Sequence, residues 1–283
     1  MRLLVKVFYD GRYFEGYARQ PGKDTIEQHI IDALIDCGYI RTAKESRFQS
    51  ASRTDPGVSA ISQVICFTTD RTTFYVMEVN DRLPQQITLW SYTRVPQDFN
   101  LRRAIAYRFY KYFKKYEGED ISSMSEAARL LIGYHDFRHL CVVDKRRPVT
   151  RTKVYCVAVK HIRTLDLLVF DFVGRFFLNK MIRKCVSALE MVGKGLLSID
   201  EFRKVIDSEI KPKASIPPAP ASGLVLVDVG LPIRSRFIVS RQALKRIRRY
   251  LRTTVQELWS CTSALSYIYD MMLDVGSSVG HIY

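Results

Sequence analysis

The sequence predicts an α+β fold, in which helices cover one face of a mostly antiparallel sheet. Segments with strand character dominate both halves of the chain. Helical segments fall between them without the regular strand-helix-strand alternation that is typical of a parallel α/β protein. With 283 residues, the chain can bury a substantial core in one or two domains. We therefore expect the second face of the sheet to stay open for a ligand.

Three strands and two helices are predicted in the first hundred residues. The strands are runs of apolar and β-branched residues at 3–8, 62–68 and 87–95. An amphipathic pattern predicts a helix at 25–37, with Asp24 as its N-cap. A short helix at 78–83 is expected to end at Pro84.

The next 130 residues repeat this mixture of strands and helices. The pattern predicts a strand at 107–113, a helix at 125–132 and a hairpin of 154–160 with 166–173. A helix at 177–192 closed by Gly193, a proline-rich connector at 211–220 and a strand at 224–229 follow. No low-complexity linker interrupts the chain, so we expect two halves, 1–100 and 101–230, that form one rigid body.

Residues 231–283 form a third unit, a basic helical extension. Basic residues recur at helical spacing on one side, and apolar residues recur on another. This pattern is typical of a solvated helix packed on the body, but eight Lys or Arg against three acidic residues also suit a surface that contacts RNA. The two sets are Arg241, Lys245, Arg248 and Arg252, and Leu244, Ile247, Leu251, Val255 and Leu258.

The net charge indicates the class of partner. Lys and Arg total 44 against 29 Asp and Glu, which gives a formal charge of +15 and an attraction to polyanions. Nucleic acid is therefore the expected partner. A membrane span is not expected, because Asp166, Asp171 and Arg175 interrupt the apolar runs. The apolar run at the start of the sequence is too short for a signal peptide and indicates a strand.

The six cysteines are scattered and include no C-x-x-C pair, which is typical of reduced core residues in a cytoplasmic protein. His135 and His139 are four residues apart, a spacing found in metal sites, and Cys141 lies nearby. A fourth ligand is missing, so structural histidines are the better interpretation. We expect no metal and no cofactor.

Asp55 is the residue that most needs explanation. Residues 52–60 place it before Pro56 and Gly57, the composition of a type II turn, and an apolar strand follows. An aspartate at the first turn position can simply bond its own backbone. The same position at a strand end can also present a carboxylate to a cleft, so both interpretations stay open.

Seven short motifs occur in one order along the chain. They lie at 8–20, 53–58, 80–84, 106–109, 133–137, 177–183 and 219–224. In sequence, order and spacing they resemble the tRNA pseudouridine synthase A family, and the resemblance covers roughly residues 3–229. It implies the pseudouridine synthase fold: two similar α/β halves that share a mostly antiparallel sheet, with a central cleft that binds RNA.

The resemblance also implies a catalytic set of three residues. The family's equivalent of Asp55 is a nucleophile, and an arginine carried over to Arg183 pairs with it. Tyr107 takes the place of a tyrosine that stacks on the uracil. Without the resemblance, the favoured interpretation of Arg183 is an arginine that extends from the edge of an apolar helix, and that of Tyr107 is a core tyrosine.

Further basic and polar residues are predicted to contact RNA. By resemblance, Arg53 helps to hold the flipped uridine, and Lys180 contacts a phosphate. The remaining predicted RNA-binding residues are Arg19, Gln63, Arg102 and Arg103, and further basic clusters stand at 114–115 and 145–147.

The chain departs from the family pattern at three positions. Ser59 stands where the family has His, Ser52 where it has Gly, and Tyr17 where it has Trp. The missing histidine removes a possible contact to RNA, so these departures put the details of RNA docking in question.

The resemblance implies a tRNA pseudouridine synthase that modifies the anticodon stem-loop around positions 38 to 40 and acts as a homodimer. A catalytically silent tRNA-binding protein of the same fold is the alternative. A glycosidase or nuclease is not favoured, because the sequence shows neither the second carboxylate nor the metal cluster such chemistry needs.

Overall fold

Ten strands form one sheet in the computed structural model, which describes residues 1–144, 148–208, 210–212, 215–233 and 236–278. The order across the sheet is β10-β4-β1-β3-β9-β5-β8-β7-β6, and β2 pairs with β3 at one side. The strands are β1 (Arg2–Tyr9), β2 (Gln49–Ser50), β3 (Ser59–Thr68), β4 (Ile87–Val95), β5 (Tyr107–Lys115), β6 (Gly133–Asp136), β7 (Arg151–Ile162), β8 (Leu167–Gly174), β9 (Leu224–Gly230) and β10 (Ile238–Val239).

The strand pairings are antiparallel except at the centre, where β3 and β9 run parallel. Ser59 lies opposite Val225 there, and Ala60 opposite Leu226. Strands from residues 1–100 lie on one side of this junction and strands from 101–230 on the other. The start of β3, directly after Asp55, is thus at the middle of the sheet.

Seven helices lie in the described part of the chain, and none of them is long and apolar enough to cross a membrane. The helices are α1 (Ile26–Asp36), α2 (Val76–Asn80), α3 (Leu101–Ala104), α4 (Ile121–Leu130), α5 (Met181–Gly193), α6 (Ile199–Ile206) and α7 (Arg241–Ser278).

The two faces of the sheet differ in chemistry. Side chains alternate along a strand, so Tyr110 and Tyr112 of β5 point to one face, where the Tyr110 ring contacts Phe177 with centroids 5.5 Å apart. Phe177 leads into α5, and this side is called the cleft face. Lys111 points to the opposite side, the reverse face, and pairs there with Asp171.

Helix α7 packs on the reverse face. Its Tyr250 ring meets Phe8 of β1 edge-on, with centroids 6.2 Å apart. Phe8 shares a side of β1 with Lys6, whose ammonium lies 2.9 Å from the carboxylate of Asp228. Asp228 stands opposite Phe109 of β5, which points to the reverse face together with Lys111. The C-terminal extension and α5 therefore occupy opposite sides of the sheet.

The mixed architecture and the mostly antiparallel sheet are confirmed. The prediction of helices on a single face did not anticipate α7. The unpredicted elements are β2, β6, β10, α3 and α6. The helix predicted from residue 177 begins at Met181, because Lys180 adopts a left-handed conformation with φ of 57°. Asp24 is not the cap of α1. Thr25 holds that position, and Asp24 instead contacts His29 at 2.6 Å.

Candidate active site

Asp55 sits on the predicted turn. The backbone N–H of Val58 donates to the carbonyl of Asp55 at 3.1 Å, which closes a four-residue turn. Gly57 has φ of +87°, the left-handed conformation that a type II turn requires at its third position. The turn delivers the chain into β3, so the carboxylate of Asp55 is anchored at the centre of the sheet.

The loop that follows β1 holds this turn from one side. Gly57 N–H donates to the carbonyl of Gly11 at 3.1 Å, and Tyr17 N–H donates to the carbonyl of Thr54 at 3.2 Å. Gly11 has no room for a side chain, since a Cβ atom there would lie 1.9 Å from the carbonyl oxygen of Val58. Two loops separated in sequence therefore form one backbone unit around Asp55.

Gln63 supports the loop before Asp55. Its side-chain oxygen accepts the N–H of Ser52 at 3.1 Å, and its side-chain nitrogen donates to the Ser52 carbonyl at 2.6 Å. Gln63 is completely buried. The prediction that Gln63 contacts RNA is therefore not supported, because both polar groups of its amide are occupied inside the protein.

Arg108 holds the same loop from the other half of the sheet. Its Nε donates to the Ser52 hydroxyl at 2.9 Å, and its two terminal nitrogens donate to the carbonyls of Ala51 and Arg175. Burial lowers the pKa of Arg108. The guanidinium is thus stabilised by neutral oxygen acceptors, and Ser52, which departs from the family glycine, provides one of them.

Arg183 of α5 meets Asp55 across the cleft. Its Nη1 lies 3.1 Å from Oδ2 of Asp55. Its Nε donates to the carbonyl of Ala219 at 2.6 Å, while the N–H of Ala219 donates to the Arg183 carbonyl at 3.1 Å. The Arg183 side chain is 13% exposed and that of Asp55 is 27% exposed. The arginine is held in place, and the carboxylate can still be reached from the cleft.

The ion pair lies in a cleft of about 440 Å³ between the two halves. Tyr110 forms part of its apolar wall, and burial raises the pKa of the Tyr110 phenol, to which the negative charge of Asp55 also contributes. Arg53 and Lys180 lie at its exposed edge. The arrangement joins a carboxylate, its cation, an aromatic ring and two exposed cations.

Tyr107 is not brought to this cleft. It lies three positions before Tyr110 on β5 and therefore points to the reverse face. Its ring covers Gly230, where a Cβ atom would lie 2.1 Å from the ring. The aromatic residue beside Asp55 is Tyr110, which the sequence analysis missed. The signal that could have identified it is the alternation along β5, combined with a known register.

The other predicted RNA contacts are scattered. Arg19 is exposed beside the cleft and lies 3.8 Å from Glu27. Arg102 and Arg103 are exposed on α3 and do not line the cleft. The cluster at 114–115 is partly unavailable, because the Lys114 ammonium is enclosed by Glu119 and Glu190. Residues 145–147 lie outside the described residues.

The departures from the family pattern have structural roles. The Ser59 hydroxyl accepts the N–H of Gly11 at 3.0 Å, so it belongs to the contact between the two loops. Tyr17 is fully buried, with its ring 5.7 Å from that of Tyr9. The Tyr9 hydroxyl lies 2.7 Å from that of Thr54, next to Asp55. These side chains support the turn from within the core.

In the described residues, no three His, Cys, Asp or Glu side chains are grouped to hold a metal ion. One nitrogen of His135 lies 3.1 Å from the carbonyl of Ile132, and the other lies 3.4 Å from Asp207. These contacts fit the structural interpretation of His135.

A paired carboxylate and guanidinium in a cleft of a strongly basic protein fit one class of protein, an enzyme that acts on nucleic acid. The family model for tRNA pseudouridine synthase matches residues 127–232. The tRNA pseudouridine synthase A of Methanosarcina mazei is 36% identical over 262 residues, 88% of this chain and 95% of that protein. That of Pyrococcus abyssi is 35% identical, over 88% of this chain and 91% of that protein. The chain belongs to the tRNA pseudouridine synthase family, whose members are isomerases that act on tRNA.

Solved structures give a weaker similarity. A chain of a Cbf5-Nop10-Gar1 complex aligns with a TM-score of 0.31 and 15% identity, over 67% of this chain and 54% of that chain. A likeness of this size supports no inference about the chain.

Proposed function

We propose that the cleft isomerises uridine to pseudouridine in the anticodon stem-loop of tRNA, around positions 38 to 40, with Asp55 as the nucleophile. The observation that carries this proposal is the ion pair of Asp55 with Arg183, in which the carboxylate stays partly exposed to the cleft. The guanidinium holds the carboxylate in one position, and a carboxylate is a side chain that can form a covalent intermediate.

The reaction exchanges one bond to the ribose for another. The bond from C1′ to N1 breaks, the uracil rotates, and C1′ bonds to C5 of the same ring. The C5 proton leaves and N1 gains a proton, so the atoms balance without an oxidant or a cofactor. Asp55 adds to the ribose or to the uracil ring and is released at the end, since a covalent intermediate divides one difficult step into two easier ones.

The other residues of the cleft fit the needs of a flipped nucleotide. Tyr110 offers a ring face for the uracil and a phenol that stays protonated, because its pKa is raised. Arg53 occupies the exposed side of the turn, where it can fill the space that the uridine leaves. Lys180 stands at the start of α5, where a cation can neutralise a phosphate.

The choice of the anticodon stem-loop rests on the family resemblance and is supported by the excess positive charge of the chain. On the same basis we propose a cytoplasmic homodimer. Mapping of pseudouridine along the tRNA measures the site of modification.

The test is tritium release from tRNA transcripts labelled at C5 of uridine, followed by mapping of pseudouridine along the product. We expect release by the wild type and by Asp98→Asn, a control at an exposed aspartate. Asp55→Asn should give no release while it still binds tRNA. Full release by Asp55→Asn would contradict the proposed nucleophile. Tight tRNA binding with no release by the wild type would favour the silent RNA-binding alternative.

A further inference from the structure

Helix α7 contacts the body through about its first four turns. Tyr250 and Thr254 are buried there, and Arg246 donates to the carbonyl of Leu83 at 2.8 Å. From residue 255 onwards, every α7 residue whose side chain is described is exposed. None of the described α7 residues lines the cleft. Any influence of the helix on the reaction must therefore pass through the body.

Tyr250 joins α7 to the loop after β1. Its hydroxyl donates to Oδ2 of Asp10 at 2.7 Å, and its ring packs edge-on against Phe8. Both partners of the hydrogen bond are buried, with Tyr250 8% exposed and Asp10 5% exposed. A hydrogen bond to a charged acceptor is stronger than one between neutral groups, so this contact fixes the carboxylate relative to the helix.

The Asp10 carboxylate sets the conformation of that loop. Its Oδ1 accepts from the backbone N–H of Arg12 at 3.2 Å and thereby caps a short 3-10 helix at Gly11–Tyr13. The Arg12 side chain also bonds the carboxylate, with Nε 2.9 Å from Oδ1. The negative charge of Asp10 therefore has a cation beside it. The Tyr250 hydroxyl is not needed to neutralise that charge, and its effect is to orient the carboxylate.

Gly11, the next residue, bonds the segment that carries Asp55. Its carbonyl accepts the N–H of Gly57 at 3.1 Å, and its own N–H donates to the hydroxyl of Ser59 at 3.0 Å. Both polar backbone groups of Gly11 therefore hold this segment. A shift of Asp10 that moves Gly11 would also move Gly57, which is two residues from Asp55.

We propose that Tyr250 is a positioning residue for Asp55. Through Asp10 and Gly11, its hydroxyl holds the turn from the reverse face, so the Asp55 carboxylate keeps its place opposite Arg183. This inference rests on the proposed role of Asp55 as the nucleophile. A reacting group must be held in a near-attack geometry, and a misplacement of 1 Å caused by a distant substitution can cost about 10²-fold in rate.

Tyr250→Phe removes the hydroxyl and keeps the ring that packs on Phe8. The kcat for tritium release should fall on the order of 10-fold, a part of the loss expected for a displacement of 1 Å. The KM for tRNA should stay within about twofold, because only the position of the reacting group changes. Tyr267→Phe, at a residue of the same helix that is 69% exposed, is the matched control and should keep the wild-type kcat.

Urea denaturation of both variants defines conditions in which each is fully folded, so that a loss of stability does not enter the measured rate. A kcat for Tyr250→Phe equal to that of the wild type would overturn the inference. A raised KM with an unchanged kcat would also overturn it, because the hydroxyl would then act on binding.

Amide hydrogen exchange tests the same contact without the reaction. The N–H of Gly57 is bonded to Gly11, so a loosened turn should exchange it faster. We expect faster exchange at Gly57 in Tyr250→Phe than in the wild type or Tyr267→Phe, with unchanged exchange in β8. Unchanged exchange at Gly57 would overturn the inference, whether or not the wild type releases tritium. Faster exchange with no release by the wild type would support the positioning of the turn and contradict the proposed function.

Discussion

Arg183 Nη1 lies 3.1 Å from Asp55 Oδ2, although 128 residues separate the two in sequence. The guanidinium makes a second bond, from Nε to the carbonyl of Ala219. One side chain therefore connects the turn that carries Asp55, α5 and the connector that leads into β9. The ion pair has the two properties that a nucleophile needs, a fixed position and a partly exposed carboxylate.

Arg183→Lys should lower the turnover of uridine on the order of 10²-fold, the cost of losing one preorganised donor at a reacting group. A lysine has a single donor group and cannot bond Asp55 and Ala219 in the fork geometry of a guanidinium. Single-turnover tritium release measures the effect. Arg203→Lys, at an exposed position on α6, is the matched control and should stay unchanged. A full rate for Arg183→Lys would show that the fork is unnecessary.

Tyr110 and Tyr107 can be separated by substitution. Tyr110→Leu removes the ring beside Asp55. It should lower kcat/KM by the equivalent of about 1–3 kcal/mol, the contribution of one stacked base. Tyr107→Leu, on the reverse face, should retain most of the rate. The ratio kcat/KM on the same tRNA decides between them. The reverse ranking would mean that the uracil does not stack on Tyr110.

The hydrogen bond between Arg108 and Ser52 supports the loop before Asp55, and its removal tests that support. Ser52→Ala removes an acceptor of a buried guanidinium and should reduce the free energy of unfolding by about 1–3 kcal/mol. The loop before Asp55 should also lose its fixed position, so kcat should fall with little change in KM. Urea denaturation and steady-state kinetics measure the two effects. Ser122→Ala, at an exposed position of α4, serves as the comparison.

Asp10 fixes α7 to the body. Its carboxylate accepts from Arg12 Nε at 2.9 Å and from the Tyr250 hydroxyl at 2.7 Å. Burial alone would raise the pKa of Asp10, but these hydrogen bonds outweigh it and the pKa is lowered. A lowered pKa stabilises the folded protein above the ordinary aspartate value of 3.8, and this contribution is lost as the pH falls through the lowered pKa.

Asp10→Asn should therefore reduce the free energy of unfolding by about 1–3 kcal/mol at neutral pH. The difference from the wild type should shrink as the pH falls from 3.8 through the lowered pKa of Asp10, because the carboxylate is protonated first in the unfolded and then in the folded protein. Urea denaturation of both proteins at several pH values measures it. A difference that does not change with pH would show that the charge of Asp10 does not contribute.

Arg102 and Arg103 are proposed to contact the RNA backbone. Replacing both with Gln should reduce the slope of log affinity against log salt by about 1 for each phosphate that is no longer neutralised. Filter binding of tRNA at several salt concentrations gives the slope. Arg248→Gln with Arg249→Gln, on exposed positions of α7, removes equal charge from the reverse face. If both pairs change the slope equally, general charge rather than α3 position accounts for the effect.

Local patterns in the sequence were sufficient for much of the fold. The strand at 87–95 has the predicted bounds, and the turn at Asp55 follows from proline and glycine in adjacent positions. Both depend on neighbours in the chain, so residue type and periodicity carry the information. The basic character of the protein also follows from composition alone.

Interactions between distant residues decided the rest. Tyr107 and Tyr110 are both tyrosines of one strand, and only the register of β5 in the sheet shows which of them reaches the cleft. The amide of Gln63 has the chemistry to contact RNA, but in the fold it is buried and bonded to Ser52. The sequence by itself determined the turn, most of the strands and the family. The tertiary structure determined which side chains meet. Alternate residues of a strand point to opposite faces of the sheet, and the packing of the sheet decides which face forms the cleft.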